Sequence, residues 1–223
     1  MLEFSCDDKK ITLFEGEPHS PLIYINTYSD CAHTLYALLK AQSTKSFSLA
    51  VINNLQWNAE LSPWPHPALY KSESAFLGHS DNYLDLLTQK LIPKSESFLQ
   101  KPPSERYLAG YSLAGLFALY TLFKSPLFTK VASISGSLWY AGFIDYAKSH
   151  AVVNTKKSVY LSLGDREKNC KHRLLREVEA CTLAFAQLLE EKHIHTIFEK
   201  NAGTHFQDNL ERTVKALVWL LEN

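Results

Sequence analysis

The stretch "RYLAGYSLAGLFALY", residues 106–120, decides the interpretation of the whole chain. It begins with a short apolar run, turns at a group of small residues, and continues as a second apolar run with the length of a buried helix. A lone serine, Ser112, lies at the corner between the two runs. The stretch therefore predicts a strand, a tight corner and a helix, which is the repeating unit of an α/β protein.

Strand-like runs alternate with helical patterns along almost the whole chain. The strand candidates cover residues 11–14, 22–26, 47–53, 106–110, 131–136, 158–164 and 194–200. The helix candidates cover residues 32–41 and about 81–99, 113–123, 171–192 and 207–221, with Pro93 expected to end or kink the second. Short, continuous apolar runs are typical of parallel strands covered on both faces. We therefore expect one α/β domain over residues 1–223, with a mainly parallel central sheet and helices on both faces.

Two segments do not follow this alternation. Residues 53–80 carry prolines and tryptophans without a clear period, and residues 136–150, "GSLWYAGFIDYAKSH", are rich in aromatic side chains. Both segments follow predicted strands, and ligands of parallel sheets bind at the carboxyl ends of strands. Long irregular loops in compact domains are often functional. We therefore expect both segments to border a binding site.

Composition excludes several classes of function. The chain has 23 lysines and arginines and 23 aspartates and glutamates, so it carries no net positive charge that would favour binding to nucleic acid or to an anionic membrane surface. The four cysteines are scattered, without the paired spacing of a zinc site or a disulfide framework. The start of the chain lacks the long apolar run of a signal peptide, and no segment is apolar over a bilayer's width. These features favour a cytoplasmic protein with free thiols.

The corner at Ser112 matches the steric demand on a nucleophilic serine. Such a serine usually occupies the turn G-x-S-x-G between a strand and a helix. Here the turn is Gly110-Tyr111-Ser112-Leu113-Ala114, and the second glycine comes one place late, at Gly115. The small neighbours still allow helix and strand to approach closely. The alternative is a small polar residue at an ordinary strand-to-helix junction, so the corner alone does not decide.

The two partners of such a serine follow it in the order acid, then histidine. Asp165 and Glu167 follow the strand 158–164, and His205 lies in a glycine-bearing loop after the last strand. Glu167 is the preferred acid, because Asp165 directly follows a glycine and can bond its own turn. The alternative is a solvated charged loop and a histidine that caps the last helix. Three elements in one topological order favour the triad.

A triad of this kind also needs backbone N–H groups that bind an oxyanion. One donor is the N–H of Leu113, directly after the serine. The second normally comes from the loop after an earlier central strand, which here follows residues 22–26. The candidates are the N–H groups of Thr27 and Tyr28.

Together these segments resemble the "putative esterase" branch of the α/β-hydrolase superfamily, which includes esterase D-like and enterochelin-esterase-like proteins. The segments that carry the resemblance are "PLIYINTY", "AGYSLAGLFALY", "VASISGSLWY", "LSLGDREKN", "NAGTHFQD" and "RTVKALVWLL". The resemblance implies a serine hydrolase that acts on small-molecule carboxylic esters without a metal or other cofactor. It places Ser112, His205, and Glu167 or Asp165 in the triad.

The chain departs from this family in the region that shapes the substrate pocket. The long insertion that usually forms a lid is absent, and residues 53–80 offer Trp57 and Trp64, with His66 and His79, but few positive charges. This argues against iron–siderophore complexes and favours a small neutral or aromatic acyl group. Trp139 and Phe143 are candidates for an aromatic wall, or for ordinary core packing.

Two other functions remain open at this point. The same triad serves thioesterases and acyl-transfer enzymes, and the same fold occurs in binding proteins without turnover. Neither the acyl group nor the oligomeric state follows from the sequence.

Overall fold

The computed structural model describes residues 1–153 and 157–223, and most of its strands form one eight-stranded sheet. The spatial order of the strands is β1-β2-β4-β3-β7-β8-β9-β10. Their bounds are β1 Leu2–Cys6, β2 Lys9–Phe14, β3 Leu22–Asn26, β4 Ser48–Asn53, β7 Arg106–Tyr111, β8 Lys130–Ile134, β9 Ser158–Gly164 and β10 His195–Asn201. The strands β5 Pro65–His66 and β6 Phe76–Leu77 form a separate antiparallel pair. That residues 1–223 form one domain stays a prediction.

Six neighbouring strands of this sheet, β4, β3, β7, β8, β9 and β10, pair in parallel. At one edge β2 pairs antiparallel with both β4 and β1. The parallel part arises from runs such as Leu22–Asn26, of which every residue is buried. Within this run the side chains alternate, with Tyr24 in one apolar cluster and Ile23 and Ile25 in another. The mainly parallel sheet predicted from the sequence is confirmed.

Helices cover both faces of the sheet, as predicted. One apolar cluster includes side chains of α1 and α9, and the other includes side chains of α3, α5, α6 and α8. The helix bounds are α1 Ala32–Gln42, α2 Trp57–Glu60, α3 Ser80–Leu86, α4 Ile92–Glu96, α5 Leu113–Tyr120, α6 Phe143–Ser149, α7 Arg173–Arg176, α8 Val178–Glu191 and α9 Asn209–Glu222. Within the described ranges, none of the helices is both long and apolar enough to cross a lipid bilayer.

Three elements differ from the expectation. β1 was not predicted: Leu2, Phe4 and Cys6 alternate with polar residues, but the strand is short, lies at an edge of the sheet and has mostly exposed side chains. Residues 136–150 are not wholly irregular, since α6 begins after Gly142, whose φ is +82°. Pro93 does not end the helical segment: a π-helical turn over Leu87–Leu91 interrupts the regular α-helix just before it, and Pro93 lies in the first turn of α4.

Candidate active site

Ser112 occupies a strained backbone conformation between β7 and α5. Its φ is +59° and its ψ is −121°, a region that a residue with a side chain rarely adopts. Hydrogen bonds hold it there: its N–H donates to the Ile134 carbonyl at 2.9 Å, and its carbonyl accepts from Leu116 and Ser137 at 3.1 Å each. The sharp turn leaves the hydroxyl at the carboxyl edge of the sheet, where Ser112 lines a cavity.

Close contacts explain the irregular spacing of small residues around this turn. A Cβ atom on Gly110 would lie 2.3 Å from the backbone of Ala114 and 2.7 Å from its methyl group. A Cβ atom on Gly115 would lie 2.8 Å from Ser133 Oγ and 2.9 Å from the Gly110 carbonyl oxygen. The methyl group of Ala114 is thus accommodated because Gly110 lacks a side chain, and the late glycine fills a place where β7 and β8 leave no room.

His205 connects Ser112 to a carboxylate. Its Nε2 lies 3.0 Å from Ser112 Oγ, and its Nδ1 lies 2.8 Å from Glu167 Oε2. Ser112 follows β7, Glu167 follows β9, and His205 follows β10, so parallel strands bring all three to one edge of the sheet. With a proton on Nδ1, the ring is oriented so that Nε2 can accept the serine proton.

Glu167 is the acid that the structure places against His205. Its side chain is 3% exposed, and its Oε1 accepts hydrogen bonds from Ser135 Oγ at 2.7 Å and from the Gly164 N–H at 2.6 Å. Burial by itself would raise the pKa of Glu167, but the hydrogen bonds from His205, Ser135 and Gly164 outweigh it and hold that pKa below its ordinary value. The carboxylate is therefore ionised at neutral pH.

Asp165, the alternative acid, contacts a different part of the site. Its Oδ1 accepts a hydrogen bond from the Gly203 N–H at 2.8 Å, and its own N–H donates to the Asn201 carbonyl. Asp165 therefore shapes the loop that carries His205, without contacting the imidazole itself. Its carboxylate thus bonds the backbone of a neighbouring loop, and not that of its own turn as was expected from the sequence.

The oxyanion donors expected from the sequence differ in availability. The Thr27 N–H donates to the Ile52 carbonyl at 3.0 Å, which continues the ladder between β3 and β4. Leu113 is the first residue of α5, so its N–H has no partner within the helix. Among the hydrogen bonds of residues 1–153 and 157–223, none uses the N–H of Leu113 or Tyr28. Both residues line the cavity beside Ser112, which favours Tyr28 over Thr27.

The cavity at this edge has a volume of about 1020 Å³. Besides the three residues described above, its wall is rich in aromatic side chains, namely Tyr28, Trp57, Tyr70, Phe76, Trp139 and Phe206. Tyr28 and Phe206 are 81% and 88% exposed, so aromatic surface continues to the mouth. Apart from Glu167 and His205, the acidic and basic side chains in the described lining are those of Glu73 and Arg166. This space exceeds what the small acyl group expected from the sequence requires.

Two aromatic residues considered for the pocket lie elsewhere, and for Phe143 this is the alternative of ordinary core packing. Trp64 is outside the lining: its Nε1 donates to the Ala141 carbonyl at 2.9 Å, and its ring packs against Tyr140 and Tyr146. Phe143 is fully buried and stacks on Phe185. Trp64 thus anchors the segment behind the cavity, and of the three tryptophans considered only Trp57 and Trp139 face it.

Sequence reasoning missed the groups that support the Glu167 and His205 side chains. These are Tyr111, Ser135 and Arg212, which contact Glu167, His205 or each other. One signal was available for Arg212, since it lies four residues before Ala216 on the buried face of α9. An arginine on such a face requires a buried partner.

Comparison with known proteins gives matches over nearly the whole chain. The family model described as "Putative esterase" matches residues 30–213. The uncharacterized protein YbbA of Bacillus subtilis is 27% identical over 236 residues, covering 98% of this chain and 94% of that protein. An IroE-like serine hydrolase from Shewanella oneidensis superposes with a TM-score of 0.80 at 18% identity, covering 96% of this chain and 76% of that one. The siderophore hydrolase EstA of Aspergillus nidulans superposes with a TM-score of 0.77 at 17% identity, covering 96% of this chain and 89% of that one.

Proposed function

The chain belongs to the "Putative esterase" family and is an esterase, and we propose that it cleaves carboxylic esters through an acyl-enzyme formed on Ser112. The observation that carries the proposal is the line of hydrogen-bonding distances from Glu167 through His205 to Ser112, 2.8 Å and then 3.0 Å. The strained turn at the serine supports it independently.

Each step of the reaction has a group in place. As Ser112 Oγ attacks the ester carbonyl, His205 Nε2 takes the hydroxyl proton, and Glu167 stabilises the resulting imidazolium. The tetrahedral oxyanion is bound by the N–H groups of Leu113 and Tyr28. When the intermediate collapses, His205 returns the proton to the departing alcohol and the acyl group stays on Ser112. Water, deprotonated by the same imidazole, then attacks the acyl carbonyl, and His205 passes that proton to Ser112 Oγ as the bond to the acyl group breaks and the carboxylic acid leaves.

The cavity wall indicates which esters fit. Aromatic side chains dominate it, and Arg166 is the one lysine or arginine among the described lining residues. We propose uncharged esters with an aromatic or extended apolar group on the acyl or alcohol side. The solved relative EstA is described as a siderophore hydrolase, but a wall with a single such cation gives little attraction for an anionic iron chelate.

A fluorophosphonate probe tests the nucleophile directly. The probe should label the folded wild-type protein at Ser112, as mapped by peptide mass spectrometry, and Ser112→Ala should abolish labelling and hydrolysis of p-nitrophenyl esters. Peptide mapping also separates Ser112 from Ser137, whose Oγ lies 3.4 Å away. Ser97→Ala, at an exposed serine that directly follows α4, serves as the control. Labelling at Ser137, or full activity of Ser112→Ala, contradicts the proposal.

A panel of matched oxygen esters and thioesters tests the reaction class. We expect a higher kcat/KM for aryl and longer-chain oxygen esters than for acetate esters, because the cavity offers a large apolar wall. A kcat/KM that is higher for thioesters of the same acyl group would instead favour a thioesterase.

A further inference from the structure

A buried arginine lies behind the proposed triad. Arg212, in the first turn of α9, has a side chain that is only 3% exposed. Its Nη1 lies 3.3 Å from Glu167 Oε1 and 3.3 Å from Ser135 Oγ. Its Nη2 donates to the Ala202 carbonyl at 2.7 Å. One guanidinium thus contacts the acid and the backbone of a second chain segment.

That second segment is the loop that carries His205. Ala202 lies three residues before His205, directly after β10. Tyr111 binds the other end of the same loop, because its hydroxyl donates to the His205 carbonyl at 2.7 Å. The Nη1 group of Arg212 also approaches the Tyr111 hydroxyl at 3.5 Å. The arginine is therefore the point at which the supports of the acid and of the base meet.

The surrounding backbone leaves room for this guanidinium. A Cβ atom on Gly164 would lie 3.0 Å from both Nη1 and Nη2, and a Cβ atom on Gly203 would lie 3.0 Å from Nη2. Gly203 also has a φ of +108°, which a residue with a side chain rarely adopts. Two glycines, one beside each of the contacted segments, are thus packed against the arginine.

Stability alone is a poor explanation for this arrangement. Burying a guanidinium is costly, and apolar residues of similar volume often replace buried ion pairs without loss of stability. The Nε of Arg212 has no hydrogen-bond partner within residues 1–153 and 157–223, so the burial is not fully compensated. The planar, forked shape of arginine, however, allows bonds to two groups in a fixed geometry, which a lysine cannot provide.

We propose that Arg212 is a positioning residue of the triad, which fixes Glu167 relative to the His205 loop by binding both with one guanidinium. The inference rests on the proposed function. With Oε1 of Glu167 bound to Arg212, Ser135 and the Gly164 N–H, the Oε2 atom is left for His205. Arg212 itself does not line the cavity beside Ser112 and lies behind two residues that do, Glu167 and Ser135. It acts on the reaction only through the two groups that it holds.

The positive charge of Arg212 provides a readout that packing alone would not give. Removing it takes a cation from beside the Glu167–His205 pair, so the imidazolium becomes easier to form. The pH midpoint of the acid limb of kcat/KM should then move upward by about 0.5 unit or more. The other ionisable groups around the guanidinium, unchanged in the variants, are Tyr111 and, on its outer side, Asp208, Glu211 and Lys215.

The experiment compares Arg212→Met and Arg212→Lys with a matched arginine elsewhere. Arg106 pairs with Glu96 through two bonds of 2.6 Å and 2.7 Å at the opposite end of β7, so Arg106→Met removes a comparable ion pair far from the site. We expect Arg212→Met to lower kcat by about 10- to 100-fold with little change in KM, and to shift the pH midpoint. Arg212→Lys should restore the midpoint but only part of kcat, and Arg106→Met should change neither.

Ser135→Ala keeps the proposal testable if Arg212→Met does not fold, because this small change removes one bond to Glu167 Oε1 and one contact of Arg212. It should lower kcat without shifting the midpoint. The inference would be overturned if the wild-type enzyme is labelled at Ser112 and a folded Arg212 variant shows the same kcat and the same pH midpoint as the wild type. A wild-type protein that is not labelled at Ser112 removes the proposed function and this inference together.

Discussion

Tyr111 donates its hydroxyl hydrogen to the backbone carbonyl of His205 at 2.7 Å, and its ring lies 5.4 Å from the imidazole. Tyr111 immediately precedes Ser112, so the residue beside the proposed nucleophile holds the loop of the proposed base. The distance between Ser112 Oγ and His205 Nε2 is thereby set from two sides, through the backbone of the turn and through this bond. A 3.0 Å separation in the free protein is a consequence of that support.

The Tyr111→Phe variant tests this support. Loss of one hydrogen bond that acts through geometry should lower kcat by about tenfold and leave KM nearly unchanged. Steady-state kinetics on an aryl ester measure both constants. Tyr107→Phe is the matched control, since its hydroxyl donates to Glu105 near the other end of the same strand. A raised KM with an unchanged kcat would show that Tyr111 acts on substrate binding instead.

The identity of the acid follows from comparing two amide variants. Glu167→Gln replaces the carboxylate that lies 2.8 Å from His205 Nδ1 and should lower kcat by about 10³- to 10⁴-fold. Asp165→Asn affects only a loop contact to Gly203 and should cost less than about tenfold. Equal losses in the two variants would mean that the loop, and not the Glu167 carboxylate, limits the reaction.

Glu167 also makes stability depend on pH. Its pKa in the folded protein lies below the ordinary value of 4.5, so it stabilises the fold above that pH, and the contribution is lost as the pH falls through the lowered value. Wild type should therefore exceed Glu167→Gln in unfolding free energy at pH 7, and the difference should shrink below about pH 4.5. Urea unfolding at a series of pH values measures it. A difference that stays constant with pH would contradict the lowered pKa.

The sequence predicted those parts of the fold and of the site that depend on local patterns. Ser112, Glu167 and His205 each follow a strand whose apolar run is visible by itself, and parallel strands must end at one edge. Arg212 could not be assigned in this way, because its role depends on Glu167, 45 residues earlier in the chain. Its place on the apolar face of an amphipathic helix indicates that it needs a buried partner, but does not identify that partner.

The tryptophans show the same limit. Trp64 and Trp139 both lie in aromatic segments after strands, so their surroundings in the sequence are alike. Only packing decides that Trp64 turns towards Tyr146 whereas Trp139 faces the cavity. β1 was missed for a different reason: its alternation of apolar and polar residues covers only five residues, and the strand is held at the edge by backbone pairing with β2 while most of its side chains stay exposed.

Substrate selectivity should follow the cavity wall. Trp139→Ala removes an aromatic face that lines the cavity and should raise KM for an aryl ester by about 2- to 10-fold, with a smaller effect on an acetate ester. Trp64→Ala is the matched control, because it should lower thermal stability without changing the ratio of the two KM values. Equal KM changes for both esters in Trp139→Ala would exclude a specific aromatic contact.

A last prediction concerns stability away from the site. Lys157 is 2% exposed, its Nζ donates to the Ser125 carbonyl at 2.7 Å, and burial lowers its pKa from 10.5 to about 8. The unfolded chain therefore binds this proton more tightly, and the protonated lysine disfavours the folded state at pH 7. This destabilisation by the buried charge should disappear as the pH rises from about 8 to 10.5, so the free energy of unfolding should increase over that range.

The Lys157→Met variant removes this destabilisation and should be more stable than wild type at pH 7. The gain is reduced by the cost of leaving the Ser125 carbonyl without a hydrogen-bond donor. The quantity to measure is the difference in unfolding free energy between wild type and variant, because buried tyrosines such as Tyr160, whose pKa is raised mainly by burial, titrate in both. That difference should narrow from pH 7 to pH 10, whereas Lys101→Met, an exposed control, should show no such trend. A constant difference for Lys157→Met would mean that this lysine is not destabilised by its burial.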